Sequence, residues 1–214
     1  MERYEKMVSN EELLPLDKLN EEYSLFRSKF NPNILKNLDG ELLIETMFHI
    51  GNKDSLSYWL EYKNDDEFKT SMYGGISGGS SFKYIMFKRN LDGKWVTGNP
   101  QNPRVLTADE AVELGRKLRD SLVAGAELIE KLGSNISIEE YIKLQNDLDN
   151  VLIENMSNLG WVHKYYHMLY PEKIDAFHSI KWQKHILICC RVKPVDDNKL
   201  YVMSGQHMEI VKEL

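Results

Sequence analysis

Apolar positions set out most of the chain before any other property is needed. From Leu13 to Phe30 they fall at Leu16, Leu19, Tyr23, Phe26 and Phe30, a helical spacing. Asn31-Pro32 ends that helix and Pro32 opens a short one with Ile34, Leu35 and Leu38, closing at Asp39-Gly40. Glu41–Phe48 is apolar and ambiguous, with Leu42, Leu43, Thr46 and Met47 suiting a helix. In Leu56–Tyr62 the even positions 56, 58, 60 and 62 are apolar or aromatic, which predicts a strand with Trp59 on its polar face. A glycine-serine loop over 74–81 leads to predicted strands at 82–89 and 94–97, joined at Asp92-Gly93, and 98–103 reads as a loop.

Two capping boxes follow. Thr107-Ala-Asp-Glu110 starts a helix with Leu114, Leu118, Leu122, Ile129 and Leu132 on one side, stopping at Gly133. Ser137-Ile-Glu-Glu140 starts another, with Tyr141, Leu144, Leu148 and Leu152 inward. So short a link predicts an antiparallel helical hairpin. Beyond Asn158, short helices separated by Pro171 are expected, and residues 1–10 read as polar and frayed. The expectation is a single α+β domain, 1–214. Its parts are an N-terminal helical portion (1–50), a β meander (51–105, with the sheet at about 55–97), the hairpin (106–156, its helices within 107–155) and a mixed C-terminal portion (157–214).

Composition narrows the function classes. With 42% hydrophobic and 28% charged residues the chain is an ordinary globular one. No apolar run approaches the roughly 20 residues of a bilayer span. Met1-Glu-Arg-Tyr-Glu-Lys lacks the apolar core of a secretory signal, so a cytoplasmic location is expected. Cys189 and Cys190 are the two cysteines; two thiols cannot hold a zinc, and Ile186-Leu-Ile-Cys-Cys190 reads as a buried strand with reduced thiols.

The net charge of −6 is unevenly spread. Residues 1–67 carry 8 basic and 15 acidic side chains, and residues 120–162 are again acidic. Residues 83–119 hold 8 basic against 4 acidic, and residues 163–193 hold 6 against 2. Two positive segments in an acidic chain can form one electropositive face.

Catalytic motifs are missing. Gly75-Ile-Ser-Gly-Gly79 has the wrong register for a nucleophile elbow, and no Gly-Lys-Ser/Thr completes a phosphate loop. His163 and His167 share a helix face at zinc-site spacing, but without the glutamate of a zinc hydrolase or a third ligand. Histidines bonded around aromatic packing explain them better. No catalytic residue, metal or cofactor is expected, and an enzyme is not.

What the positive segments offer is aromatic and basic residues interleaved. Glycines admit close backbone approach and lysines pair with phosphates. The candidate nucleic-acid contacts are therefore the loop residues Gly75, Gly78, Gly79, Ser80 and Ser81, with Lys83, Lys88, Arg89 and Lys181. Trp59, Trp95 and Trp182 are the candidates to stack on, or wedge beside, a base.

Three phrases carry a resemblance: Asp54-Ser-Leu-Ser-Tyr-Trp-Leu-Glu-Tyr-Lys63, Gly75-Ile-Ser-Gly-Gly-Ser-Ser-Phe-Lys-Tyr84, and Gly160-Trp-Val-His-Lys-Tyr-Tyr166 continuing to Tyr170-Pro-Glu-Lys-Ile-Asp-Ala-Phe-His178. They resemble the N-terminal specificity region of McrB-type AAA+ GTPases, the nucleotide-driven subunits of modification-dependent restriction systems in phage defence. The resemblance spans about residues 40–214. It implies a DNA-recognition module, an N-terminal domain that reads a modified base or specific site. It also implies partners, an AAA+ motor domain and a nuclease subunit, outside this chain. The other expectation is a protein-interaction module that docks a partner through the hairpin, with exposed apolar residues on it.

Overall fold

The structure, a computed structural model, describes residues 2–10, 13–63, 76 and 81–213. It is α+β: helices dominate and surround one small antiparallel sheet. Within the stretch expected to fray, Glu2–Ser9 form helix α1. Its last turn is closed by Asn10 N–H and the Ser9 hydroxyl, both donating to the Lys6 carbonyl. Helix α2 (Leu16–Phe30) buries Phe26 and Phe30. Asn31 then caps α3 (Pro32–Lys36), its side-chain oxygen accepting from Ile34 N–H at 3.1 Å. Asp39 caps α4 (Gly40–Phe48), the segment whose pattern was ambiguous.

The predicted strand at 55–62 is a helix, α5 (Leu56–Glu61). Ser55 caps it, its hydroxyl accepting from Tyr58 N–H at 3.1 Å. Alternation failed as a signal because Leu56, Ser57, Tyr58, Trp59 and Leu60 are all buried. An element enclosed on every side has no polar face, and over six residues period 2 and period 3.6 look alike.

The sheet starts later than expected. Residues 81–84 form a 3-10 turn, Ile85 takes a left-handed φ of 69°, and only then does β1 run, Met86–Lys88. It pairs with β2 (Trp95–Asn99), Lys88 opposite Trp95, through the turn containing Gly93 (φ 68°). The stretch read as a loop supplies a third strand, β3 (Asn102–Val105), Val105 opposite Val96. Pro103 masked it in the sequence; proline is tolerated because β3 is an edge strand.

The hairpin forms as predicted, from α6 (Ala108–Glu130) and α7 (Ile138–Val151), with both capping boxes in place. α6 ends at Glu130, three residues before the glycine taken as its stop. Ser121 pins the two helices: its hydroxyl donates to Val151 O at 2.8 Å and accepts from Ile153 N–H at 3.0 Å. α6 packs against α3 and α4 on one side, and α7 packs on the last helix.

The C-terminal portion is helical: α8 (Gly160–Leu169), α9 (Ile180–Cys189) and α10 (Leu200–Glu213). Residues 161–169 of α8 are buried all round, so α8 is the axis of the core. Cys189 and Cys190 are exposed at the C-terminal end of α9, not in a buried strand. One cluster of buried apolar residues runs from Phe26 to Met208. No helix among the described residues is long and apolar enough to cross a membrane.

Candidate nucleic-acid interface and the polar core beneath it

The structure separates the proposed contact residues into engaged and unengaged groups. Trp59 is 2% exposed, edge-on to Phe30, with its indole N–H donating to the Lys53 carbonyl at 3.0 Å. Trp95 is 8% exposed on β2. Neither offers a free face for a base. Gly75, Gly78, Gly79 and Ser80 lie outside the described residues; Ser81, half-buried, opens the 3-10 turn.

The three candidate cations of the first positive segment, Lys83, Lys88 and Arg89, have acidic partners. Lys83 pairs with Glu61 at 2.5 Å and donates to the Ile76 carbonyl at 3.0 Å. Lys88 pairs with Glu45 at 2.5 Å and lies 5.8 Å from the centre of the Trp95 ring. Arg89 grips Asp92 with two bonds, Nε–Oδ1 2.8 Å and Nη2–Oδ2 2.5 Å, which hold that carboxyl down at about 2. Here charge closes turns and ties the sheet to the helices.

Helix α9 is different. Trp182 is 54% exposed and Lys181 is exposed beside it; Lys181 has no ion-pair partner among the described residues. His185, one turn on, meets the Trp182 ring edge-on at 5.9 Å. Ile188, Cys189 and Arg191 extend the exposed strip. Residues 176–195 contain no acidic residue and four cations, Lys181, Lys184, Arg191 and Lys193. Among the described residues Lys184 alone of these is paired, with Asp197 at 2.6 Å. Thus Lys181 and Trp182 remain available, whereas Lys83, Lys88 and Arg89 are spent locally.

The inner face of α9 carries Gln183, fully buried, and this leads into a polar network that residue spacing did not reveal. The Gln183 amide donates to Asp175 Oδ2 and to the Leu200 carbonyl, both at 3.0 Å. Asp175 also accepts from Phe177 N–H at 2.6 Å and faces His207 Nδ1 at 2.7 Å. His163 Nδ1 lies 3.0 Å from His178 Nδ1, and its Nε2 faces the Gln183 amide nitrogen at 3.4 Å. With both Gln183 amide hydrogens directed to Asp175 and the Leu200 carbonyl, the close Nδ1–Nδ1 approach means that one of the two rings, His163 or His178, donates to the other. His167 donates from Nδ1 to the Ile174 carbonyl at 2.7 Å and accepts the Tyr23 hydroxyl at Nε2, 3.0 Å away.

Burial lowers all three of these rings, His163 to about 4, His178 well below the ordinary histidine value and His167 in the same direction. For Asp175 burial acts the other way, yet the His207 bond and the neighbouring His163 carry its carboxyl below the usual range. The His163–His167 spacing that suggested zinc thus serves two separate hydrogen bonds. Among the described residues no group of three or more potential ligands could hold a metal. Four of its members, His163, Gln183, Asp175 and His207, are each 6% exposed or less, whereas His178 and Tyr23 at its margin are half-buried. Its chemistry is positional, fixing α9 on α8 and α10 so that Lys181 and Trp182 face outward.

The hairpin presents little apolar surface. Of its large apolar side chains Ile142 and Ile153 are exposed, each at 37%; the others are buried or half-buried against the rest of the fold.

The chain matches no protein-family model, no curated protein and no solved structure.

Proposed function

We propose that this chain is a DNA-binding specificity module, with the outward face of α9 as its contact element. One observation carries the reading: Trp182 stands 54% exposed beside Lys181, which has no ion-pair partner among the described residues, in a 20-residue stretch free of acidic residues. An exposed tryptophan beside cations suits a ligand that offers both a phosphate and a base. In this reading Lys181 and Arg191 meet the backbone, and Trp182 stacks on or wedges beside a base. The wider role, recognising a modified or specific site for a separate AAA+ motor and nuclease of a McrB-type restriction system in the cytoplasm, is supported by the resemblance of the three quoted segments. Under it the chain itself is not an enzyme. The docking alternative through the hairpin is the weaker reading, because the apolar faces of α6 and α7 are already occupied.

The test is a binding screen with duplexes bearing and lacking base modifications, at two salt concentrations. Trp182→Ala is expected to weaken binding by roughly 1–3 kcal/mol per stacked base. Lys181→Ala is expected to weaken it across sequences and to reduce the salt slope by about 1. A parent chain that binds none of these DNAs, or a double variant that binds as tightly as the parent, refutes the proposal.

A further inference from the structure

Cys189 and Cys190 are adjacent and both exposed, and His185 lies one turn from Cys189 on the same helix. The Sγ of Cys189 is 3.6 Å from Nε2 of His185. Residues 176–195 supply four cations and no acid; Asp196 and Asp197 follow directly, and Asp197 takes Lys184, which leaves Lys181, Arg191 and Lys193 against one remaining acid, Asp196. An accessible thiol, an imidazole positioned to take its proton and a locally positive field are what thiolate chemistry requires. We propose that Cys189 is a modification site for anionic low-molecular-weight disulfides, and that the adduct blocks the outward face of α9.

In the step, the Cys189 proton passes to His185 Nε2 and the thiolate attacks one sulfur of the small disulfide. A bond forms between Sγ and that sulfur as the original S–S bond breaks. The departing thiolate recovers the proton from the imidazolium. The protein sulfur is oxidised, the leaving sulfur is reduced, and the sum is protein thiol plus disulfide giving mixed disulfide plus small thiol. Attraction by Lys181, Arg191 and Lys193 selects an anionic disulfide over a cationic one of similar reactivity. Trp182 lies seven residues, two helical turns, from Cys189, on the same side of α9. An anionic adduct there covers the strip and offsets its charge. This blocking role rests on the proposed DNA reading; the reactivity of Cys189 does not.

The experiment treats the full chain with glutathione disulfide, which is anionic, and with cystamine, which is cationic, and follows adducts by intact mass. One glutathione adduct is expected on the parent and on Cys190→Ser. Its rate is expected to fall roughly tenfold in Cys189→Ser and in His185→Asn, and to drop with added salt. Equal rates for the parent and Cys189→Ser, or cystamine reacting faster than glutathione disulfide, overturn the site. An adduct on Cys189 that leaves DNA affinity unchanged overturns the blocking role. If the unmodified chain binds no DNA, the proposed function fails, and the adduct rates still decide the modification site.

Discussion

His207 sits between two acceptors: its Nδ1 lies 2.7 Å from Asp175 Oδ2 and its Nε2 lies 3.2 Å from the Gln183 carbonyl oxygen. A neutral ring has one N–H and would leave one of these contacts without a proton. The ring is held between the Asp175 carboxylate and the Gln183 carbonyl, with the His207 and Asp175 side chains 4% and 5% exposed. The pair joins α10 to the segment after Pro171, while Gln183 ties the same carboxylate to α9. Three segments, two of them neighbours in sequence and α10 distant, share one carboxylate.

Asp175→Asn is expected to destabilise the fold by about 1–3 kcal/mol, since it replaces a buried acceptor shared by Gln183, Phe177 N–H and His207 with an amide that accepts at one oxygen only. Urea unfolding of Asp175→Asn, His207→Gln and the double variant measures this. The double variant should cost less than the two single changes added together. Strict additivity would contradict the pairing.

Acid should loosen the structure well before ordinary carboxylates titrate. An unfolded histidine binds its proton near 6.5, whereas His163 in the fold binds it at about 4. Between those values the unfolded chain holds more protons, so the contribution of His163 is complete above about pH 6.5 and is lost as pH falls toward 4. At about 1.4 kcal/mol per unit that is about 3 kcal/mol from this residue, and His167 and His178 shift in the same direction. A urea midpoint that stays constant from pH 7 to pH 4.5 would count against the buried neutral rings.

Gly205 on α10 packs directly against Tyr141 on α7. A Cβ at this position would lie 2.3 Å from Cδ2 and 2.4 Å from Cγ of Tyr141. Tyr141 cannot step aside freely, because its hydroxyl donates to the Lys173 carbonyl at 2.6 Å. Gly205→Ala is expected to cost about 1–3 kcal/mol, read as a lowered denaturant midpoint with unchanged slope.

Ser121 satisfies two backbone groups where the hairpin closes. Ser121→Ala removes both bonds and leaves Val151 O and Ile153 N–H without that partner, a loss of about 1–3 kcal/mol. Ser121→Thr, which keeps the hydroxyl, separates the bond from its packing. Thermal melts of the two variants check it.

For DNA, the partition of cations predicts unequal effects. Lys88→Ala and Arg89→Ala break the contacts to Glu45 and Asp92 and are expected to change affinity less than Lys181→Ala with Trp182→Ala. The reverse order, from fluorescence anisotropy at matched salt, would move the contact face to the sheet.

The sequence by itself determined the elements whose signals are local. Thr107 with Glu110 and Ser137 with Glu140 announced α6 and α7, since a capping box is complete within four residues. Asn31-Pro32 likewise marked the start of α3. Tertiary structure decided whatever depended on what lay opposite. Leu56–Glu61 became a helix because it is enclosed on all sides, and β3 appeared because β2 offered an edge that tolerates Pro103. The candidate site divided in the same way. Lysine and tryptophan can be counted in a sequence, but Glu45, which neutralises Lys88, lies 43 residues away. Asp175 meets its histidine 32 residues along the chain. Charge pairing and burial act through space, and nothing in the spacing of residues records them until the chain has closed.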